Sequence, residues 1–214
     1  MVTGHLGFVG THLCLSLRAN GYEVIGFDLK DGRDIRYIPD CEMPEVDRVF
    51  HLAAQTDAQS ENAEADAQTN VIGSIRIFSK YREKVVFASS SMVMYPTSPY
   101  AISKGAGEDY ARYLGAAVVR FCNLYGEGGH SVIDKFRESD RLKIYGSGEQ
   151  FRTYAPVEDA VKAMLSVRPG QTIVLPGVDY TVNEIAEMFP GKPVDRVAAR
   201  TLDLMDARQV MAGG

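Results

Sequence analysis

Short, almost wholly apolar runs alternate along this chain with segments of helical periodicity, and this alternation limits the fold more than any other feature. The runs are rich in β-branched residues and cover 23–27, 46–52, 85–89, 116–121 and 172–175. Continuous apolar runs are typical of parallel strands that are covered by helices on both faces. Between them, helical patterns occur at 11–20, 61–82 and 100–114. This order predicts an α/β fold with a doubly wound parallel sheet.

The length of the chain predicts one domain with a smaller second region. The chain has 214 residues, and a typical domain takes about 150. Its hydrophobic fraction of 45% is that of an ordinary globular protein with a substantial core. After Phe121, frequent glycines interrupt the strand and helix pattern. We therefore predict a sheet domain at 1–122 and 156–176, and a smaller region at 123–155 and 177–214.

Charge and cysteine usage exclude several classes of function. The formal net charge is −5, whereas nucleic-acid-binding domains usually carry a basic surface. Three cysteines without a paired spacing, Cys14, Cys41 and Cys122, predict neither a disulfide framework nor a metal site. No apolar run is long enough to cross a membrane, and no secretory leader is recognisable. We expect a cytoplasmic protein with no nucleic-acid or membrane partner.

A glycine-rich turn near the start of the chain predicts a cofactor site. Its glycines recur at every third position: Gly4, Gly7 and Gly10. Backbone N–H groups in such a turn approach a pyrophosphate closely, and the start of the next helix, at Phe8 and Val9, adds partial positive charge. Asp28 ends the following apolar run; a carboxylate there accepts the ribose hydroxyls of NAD and repels the 2′-phosphate of NADP. We predict a Rossmann-type domain that binds NAD, although these residues also occur in ordinary turns.

A tyrosine and a lysine, Tyr100 and Lys104, lie four residues apart on one face of a predicted helix. The ammonium group is expected to lower the tyrosine pKa from about 10 toward neutrality, which makes the phenol a general acid and base. Three serines, 89–91, follow a predicted strand at the sheet edge where open α/β folds bind ligands. We predict Ser91, Tyr100 and Lys104 as the catalytic residues. A tyrosine–lysine pair alone is more often a solvated surface pair; the serines and the glycine turn favour a site.

Together these motifs resemble the extended short-chain dehydrogenase/reductases, and among them the NAD-dependent sugar-nucleotide epimerase/dehydratase family. Further matching segments extend the resemblance over nearly the whole chain: 34–35, 51–54, 70–73, 120–126, 144–152 and 157–160. The resemblance implies NAD as the cofactor. It also implies cofactor contacts, beyond the glycine turn and Asp28, from Asp34, Ile35, Leu52, Ala53, Ala54, Asn70, Ser89, Tyr100, Lys104 and Phe121.

The resemblance also implies a nucleotide-diphosphate sugar as the substrate. The residues expected to contact it are Ser91, Tyr95, Asn123 and Arg152. Arg152 would hold the diphosphate, because a doubly charged anion needs a cation; Tyr95 is as well explained by packing. Related proteins dimerise through two helices, so a homodimer is expected through 61–82 and 100–114. His51 and Cys122 are expected to be packed residues rather than reactive groups.

The reaction depends on the residues that follow the serines. The resemblance implies oxidation of a sugar hydroxyl, usually at C4, with the tyrosine as base and NAD as hydride acceptor. Dehydrating relatives carry an Asp-Glu pair where this chain has Met92-Val93. We therefore expect a 4-epimerase of the UDP-glucose/UDP-galactose type, which returns the hydride to the opposite face of the sugar. The alternatives are a nucleotide-sugar reductase or dehydrogenase, and a non-catalytic module that binds NAD or a nucleotide sugar.

Overall fold

A computed structural model describes residues 1–198, which form two compact units. The larger unit contains residues 1–121 and 158–175; the smaller contains residues 122–157 and the segment that begins at Pro176. Residues 199–214 of the predicted small region lie outside the described residues. The assignment of the cofactor to one unit and the nucleotide sugar to the other stays a prediction.

Strands and helices alternate along much of the described chain. The strands are β1 (Val2–Thr3), β2 (Gly26–Phe27), β3 (Val49–His51), β4 (Val85–Ser90), β5 (Ala117–Phe121), β6 (Asn123–Tyr125), β7 (Leu142–Tyr145), β8 (Phe151–Pro156), β9 (Thr172–Val174), β10 (Val178–Thr181) and β11 (Val194–Val197). The helices are α1 (Phe8–Ala19), α2 (Ala63–Asp66), α3 (Ser74–Tyr81), α4 (Pro99–Tyr113), α5 (Val132–Glu138), α6 (Val157–Ser166) and α7 (Val182–Glu187). A π-helical segment, Ala67–Gly73, joins α2 to α3.

The larger unit is built on a parallel sheet whose described strands run in the order β2-β1-β3-β4-β5-β9. Every neighbouring pair in it is parallel. The chain moves outward from β1 to one edge, returns to β3 and continues to the other edge. This arrangement confirms the predicted Rossmann-type, doubly wound sheet, and it brings the carboxyl ends of the strands to one edge.

Helices cover both faces of this sheet, which explains why its strands are apolar throughout. On one face, Phe87 and Val118 pack against side chains of α3 and α4, among them Phe78. On the other face, Val86 packs with residues of α1 and α6, among them Leu13 and Met164. Successive residues of β4 therefore serve opposite cores. All six residues of that strand are buried.

The first strands are shorter than predicted. Only residues 26–27 of the predicted run 23–27 form β2, because its neighbour β1 offers two paired residues, Val2 and Thr3. β3 is likewise limited to Val49–His51, although the apolar run covers 46–52. A cavity of about 450 Å³ lies where these segments precede their strands, lined by residues that include Met1, Val24 and Val46. It lies at the amino ends of the strands, away from the edge where ligands are expected.

The predicted helix 61–82 is divided into three parts. The α-helical hydrogen-bond pattern holds in α2 and α3 but widens to a π-helix between them. Single π-helical turns occur mostly within α-helices and frequently at functional sites. The π segment contains Asn70, one of the predicted cofactor residues, whose side chain is fully buried.

The smaller unit has two short sheets and its own core. β8 pairs antiparallel with β10 and parallel with β6, and β7 pairs in parallel with β11. Its core contains side chains from α5, β7 and α7, such as Phe136, Ile144 and Ile185. Lys192 donates to three carbonyl groups at the end of α5, those of Phe136, Arg137 and Ser139, and so stabilises that helix end.

Candidate active site

The glycine turn between β1 and α1 has the geometry that a pyrophosphate site needs. Gly4 has φ +71°, and a β carbon there would lie 2.8 Å from the backbone nitrogen of Ala53. A β carbon at Gly10 would lie 2.1 Å from the carbonyl oxygen of Gly4, so no larger residue fits. α1 begins after Gly7 without a side-chain cap and without an acidic residue in its first turn. The N–H groups at the start of α1, including those of Phe8 and Val9, therefore suit an anion.

Hydrogen bonds from two backbone N–H groups hold the Asp28 carboxylate beside this turn. One carboxylate oxygen accepts a hydrogen bond from Leu6 N at 3.0 Å, and the other accepts one from Lys30 N at 2.9 Å. A carboxylate has about four acceptor positions, so these two bonds fix Asp28 and leave capacity for ribose hydroxyls. The turn, the open helix start and this acceptor together fit a dinucleotide.

Three of the predicted cofactor residues lie close to the glycine turn. Thr3 Oγ1 accepts hydrogen bonds from the backbone nitrogens of Leu52 and Ala53, each at 3.2 Å. These bonds keep the end of β3 beside β1. Ala54 follows directly and, like Leu52 and Ala53, is half-buried.

The side chains of Asn70, Asp34 and Ile35 all contact other residues of the chain. Asn70 exchanges hydrogen bonds with the backbone of Gln55 and donates to Ser103 Oγ at 2.9 Å. Asp34 binds the Arg36 guanidinium at 2.6 Å, and this hydrogen bond lowers the pKa of the Asp34 carboxyl. Ile35 is buried in the core. The roles of these three residues in cofactor binding stay predictions.

The tyrosine and the lysine lie on α4, directly after the end of β4. Pro99 stands in the first turn of α4, and Ser98 Oγ accepts a hydrogen bond from Ala101 N. Both features stabilise the start of a helix. Tyr100 and Lys104 are consequently one helical turn apart on a helix that packs against β4.

Burial dominates the electrostatics of this pair. Burial raises the pKa of Tyr100; a hydrogen bond with the Ser90 side chain lowers it, and the nearby Asp66 carboxylate raises it. Burial also lowers the pKa of Lys104 to about 7, with the charge of Glu108 acting in the opposite direction. The Lys104 ammonium lies 4.1 Å from the centre of the Phe87 ring. The pKa of Tyr100 is therefore raised rather than lowered as predicted, because desolvation of the phenolate is the largest influence on it.

The serines at the end of β4 have three different positions. Ser89 donates to Glu108 Oε2 at 2.8 Å. The Ser90 side chain is the one that hydrogen-bonds with Tyr100, and this bond acts to lower the pKa of Tyr100. Ser91 is half-buried and begins the 3₁₀ turn Ser91–Met94. Its predicted catalytic role stays a prediction. Ser90 was not among the predicted residues, because three consecutive serines give no signal that distinguishes one from another.

A buried carboxylate, Glu108, ties α4 to the neighbouring strands. It accepts hydrogen bonds from Arg120 at 2.6 and 3.0 Å and from Arg112 at 2.5 Å, in addition to that from Ser89. The Glu108 side chain is 1% exposed. This network was not predicted either, although the spacing of Glu108, four residues after Lys104, places it on the helix face that carries the predicted site.

His51 and Cys122 have the environments of packed residues. His51 shares hydrogen bonds with Thr3 Oγ1 at 2.6 Å and Ser74 Oγ at 2.9 Å. Burial lowers its pKa to about 3, so the ring is neutral at physiological pH. Burial raises the pKa of Cys122 to about 11, which leaves almost no reactive thiolate.

The remaining predicted residues are divided between the two units. Phe121 ends β5, and Tyr95 follows the 3₁₀ turn; both are half-buried. In the smaller unit, Asn123 Nδ2 donates to the carbonyl of Thr153 at 3.0 Å. Arg152 lies in β8 and donates to the carbonyl of Phe151 at 2.8 Å. Their substrate contacts stay predictions.

Within residues 1–198, no three His, Cys, Asp or Glu side chains are grouped so that they could hold a metal ion. None of the helices in that range is long and apolar enough to span a bilayer.

A doubly wound sheet with a glycine turn, an acid after its second strand and a tyrosine–lysine helix defines a dinucleotide-dependent enzyme class. Residues 1–172 match the profile of the "NAD dependent epimerase/dehydratase family". The chain therefore belongs to this family, which confirms the resemblance and, with it, the predicted cofactor NAD.

Individual proteins extend this similarity. The UDP-glucose 4-epimerase of Mycolicibacterium smegmatis is 30% identical over 225 residues, which cover 77% of this chain and 71% of that protein. The UDP-glucose 4-epimerase of Thermotoga maritima, solved with UDP-glucose, superposes with a TM-score of 0.83 at 26% identity, over 96% of this chain and 87% of that one. MoeE5, solved with UDP-glucose and NAD, gives a TM-score of 0.80 at 28% identity, over 93% and 85%. Other similar proteins are dehydratases, reductases and a decarboxylase, so membership of the family leaves the reaction open.

Proposed function

We propose that this chain is an NAD-dependent 4-epimerase of a nucleotide sugar of the UDP-glucose/UDP-galactose type. The observation that supports this most directly is the 3₁₀ turn Ser91–Met94, which lies between β4 and α4. Met92 and Val93 are half-buried in it. Val93 faces α4, since a β carbon added at Gly105 would lie 3.9 Å from Val93 Cβ. The turn thus presents apolar groups beside the helix that carries Tyr100.

The chemistry of these side chains favours epimerisation over dehydration. Loss of water from an oxidised sugar needs one group to protonate the leaving hydroxyl and another to remove a carbon-bound proton. A thioether and an isopropyl group do neither at any pH. For a sugar oxidised at C4, the remaining exit is the return of hydride, and return to the other face gives the epimer. The similarity to UDP-glucose 4-epimerases supports the same conclusion.

In this proposal, residues of the larger unit bind the cofactor, orient the sugar hydroxyl and transfer its proton. The glycine turn and Asp28 hold the dinucleotide, which supplies the hydride acceptor when bound. The phenol oxygen of Tyr100 takes the proton of the C4 hydroxyl and later gives it back, while Ser91 orients that hydroxyl. A raised pKa favours the first of these steps, because a phenolate of high pKa is a strong base that keeps the proton it takes.

The products of a single incubation distinguish the candidate reactions. We expect the protein to interconvert UDP-glucose and UDP-galactose, or their N-acetyl forms, without added reductant and without net formation of NADH. NMR of the sugar products measures this directly. Accumulation of a 4-keto-6-deoxy sugar would instead establish a dehydratase. Turnover only with stoichiometric added nicotinamide cofactor would establish a reductase or dehydrogenase.

The position of Asp28 predicts a preference for NAD over NADP. NAD is expected to bind at least about tenfold more tightly, roughly 1.4 kcal/mol, because the 2′-phosphate of NADP removes a hydroxyl donor and faces a fixed carboxylate. Titration of the apo protein with both dinucleotides measures the ratio, and Asp28→Ser should reduce it. Equal or tighter binding of NADP to the unmodified protein would contradict this role of Asp28.

We further propose a homodimer through the exposed face of α4 and the π segment, in a cytoplasmic setting. Large apolar side chains are exposed there: Ile102 by 58%, Tyr110 by 45% and Tyr113 by 84% on α4, and Ile72 by 50% on the π segment. On α4, these three positions recur at the spacing of one helix face. Cys14, Cys41 and Cys122 are free thiols, which is typical of the reducing cytoplasm.

A further inference from the structure

The ammonium group of Lys104 lies against an aromatic ring inside the core of the larger unit. Its nitrogen is 4.1 Å from the centre of the Phe87 ring, which belongs to β4. Lys104 is 3% exposed, and Phe87 is fully buried. The face of an aromatic ring is electron-rich and attracts a cation, most strongly where water is excluded. The ring therefore offsets part of the free energy that burial of this charge costs.

The Phe87 ring is held in one position by its other neighbours. It stacks on the His51 ring, with centres 5.7 Å apart and planes inclined by 23°. The Phe78 ring meets it edge-on at 5.2 Å. On α4, Gly107 leaves space for the ring, since a β carbon there would lie 3.3 Å from Phe87 Cζ. A ring enclosed on these sides has little freedom to turn away from Lys104.

The imidazole of His51 is fixed in turn through both of its ring nitrogens. It shares a hydrogen bond of 2.6 Å with Thr3 Oγ1 and one of 2.9 Å with Ser74 Oγ. Thr3 is the last residue of β1 and directly precedes the glycine turn. A continuous series of contacts therefore connects the glycine turn, through His51 and Phe87, to the ammonium group of Lys104.

The ionisable side chains that interact with Lys104 have their own partners or carry no charge. The charge of Glu108, one helical turn further along α4, raises the pKa of Lys104. Both oxygens of that carboxylate, however, accept hydrogen bonds from Arg120. His51 is neutral, since burial lowers its pKa to about 3. The Phe87 ring is therefore the group that the buried ammonium faces.

We propose that Phe87 is a positioning residue that holds the Lys104 ammonium in place for the cofactor. The proposal rests on the proposed function, in which Lys104 is both a catalytic residue and a cofactor contact. A lysine side chain has a flexible four-carbon stem, so its charge has no fixed place unless a neighbour supplies one. A side chain that is ordered before the dinucleotide arrives spends less binding free energy on its own ordering.

The first measurement observes Lys104 directly, without substrate or turnover. In protein with ¹³C-labelled lysine, the ring current of Phe87 displaces the Cε proton resonance of Lys104 upfield, and Lys104→Met identifies that resonance by its disappearance. Phe87→Leu removes the aromatic face and keeps an apolar side chain, and we expect the upfield displacement to be lost. Phe78→Leu is the matched control, because that ring is equally buried and packs on Phe87 and His51. It should retain the displacement.

The second measurement is the affinity for NAD. We expect Phe87→Leu to bind NAD about tenfold more weakly than the unmodified protein, and Phe78→Leu to bind it within about twofold. An unchanged Lys104 resonance in Phe87→Leu would overturn the proposal, as would equal losses of NAD affinity in the two variants. A displaced resonance with unchanged NAD affinity would also overturn it, because the position of the ammonium would then not matter to the cofactor.

A second variant keeps the test valid if Phe87→Leu does not fold. Phe87→Met also lacks an aromatic face, and its flexible side chain fills the space more fully; it is measured in its place under the same criteria. Failure of epimerisation in the product assay, with both expected effects on Lys104 and NAD present, would reject the proposed function and leave the role of Phe87 intact.

Discussion

Tyr100→Phe is expected to lower turnover by about 10² or more while it leaves the affinity for NAD nearly unchanged. The change removes a single hydroxyl oxygen, the atom on which the proposed proton transfer depends. The ring remains in its half-buried position at the start of α4, so the fold should persist. Steady-state kinetics and dinucleotide titration measure the two quantities separately.

A matched control exists on the same helix. Tyr110→Phe makes the identical chemical change at a position that is 45% exposed, and we expect it to retain full turnover. Comparable losses in both variants would show that the Tyr100 hydroxyl has no special role. If the unmodified protein turns over no nucleotide sugar and yet binds NAD, the non-catalytic binding module is the correct alternative.

The sequence was sufficient for the features that depend on local pattern. The alternation of apolar runs with helical periodicity predicted the parallel sheet, because strands covered on both faces have no polar side. The glycine spacing predicted the turn between β1 and α1, where Gly4 and Gly10 leave no space for a β carbon. In the first case the requirement is burial on both faces of the sheet, and in the second it is space at the backbone. Both requirements are visible directly in the residue types.

Features that depend on neighbours distant in sequence could not be predicted in this way. The length of β2 was overestimated, because it depends on how many residues the paired strand β1 offers. The pKa of Tyr100 was predicted from Lys104 alone, whereas in the fold burial is the largest influence on it, followed by the hydrogen bond with Ser90. The spacing of Tyr100 and Lys104 shows that they are neighbours, but the degree of desolvation is a property of the whole core.

The Glu108 network is the second place where a single change should have a large effect. Burial alone would raise the pKa of Glu108, but hydrogen bonds from Arg120 and Ser89, with the charges of Arg120 and Arg112, bring it below its usual value. A carboxyl whose pKa is lower in the folded protein than in the unfolded chain adds stability above the unfolded pKa, about 4.5. This contribution is lost as the pH falls through that range toward the folded pKa.

Glu108→Ala is therefore expected to reduce the free energy of unfolding by about 3–5 kcal/mol at neutral pH, the usual cost of leaving a buried charge without its partner. The change strands Arg120, whose side chain is 17% exposed, and removes the acceptor of Ser89 at the end of β4. Asp109→Ala removes the neighbouring acid that also binds Arg112, but its side chain is 73% exposed, and we expect a loss within about 1 kcal/mol. Urea unfolding of both variants at neutral and acidic pH measures the difference, which should narrow as the pH falls. Similar stabilities of the two variants at neutral pH would show that the network does not hold α4 to the sheet.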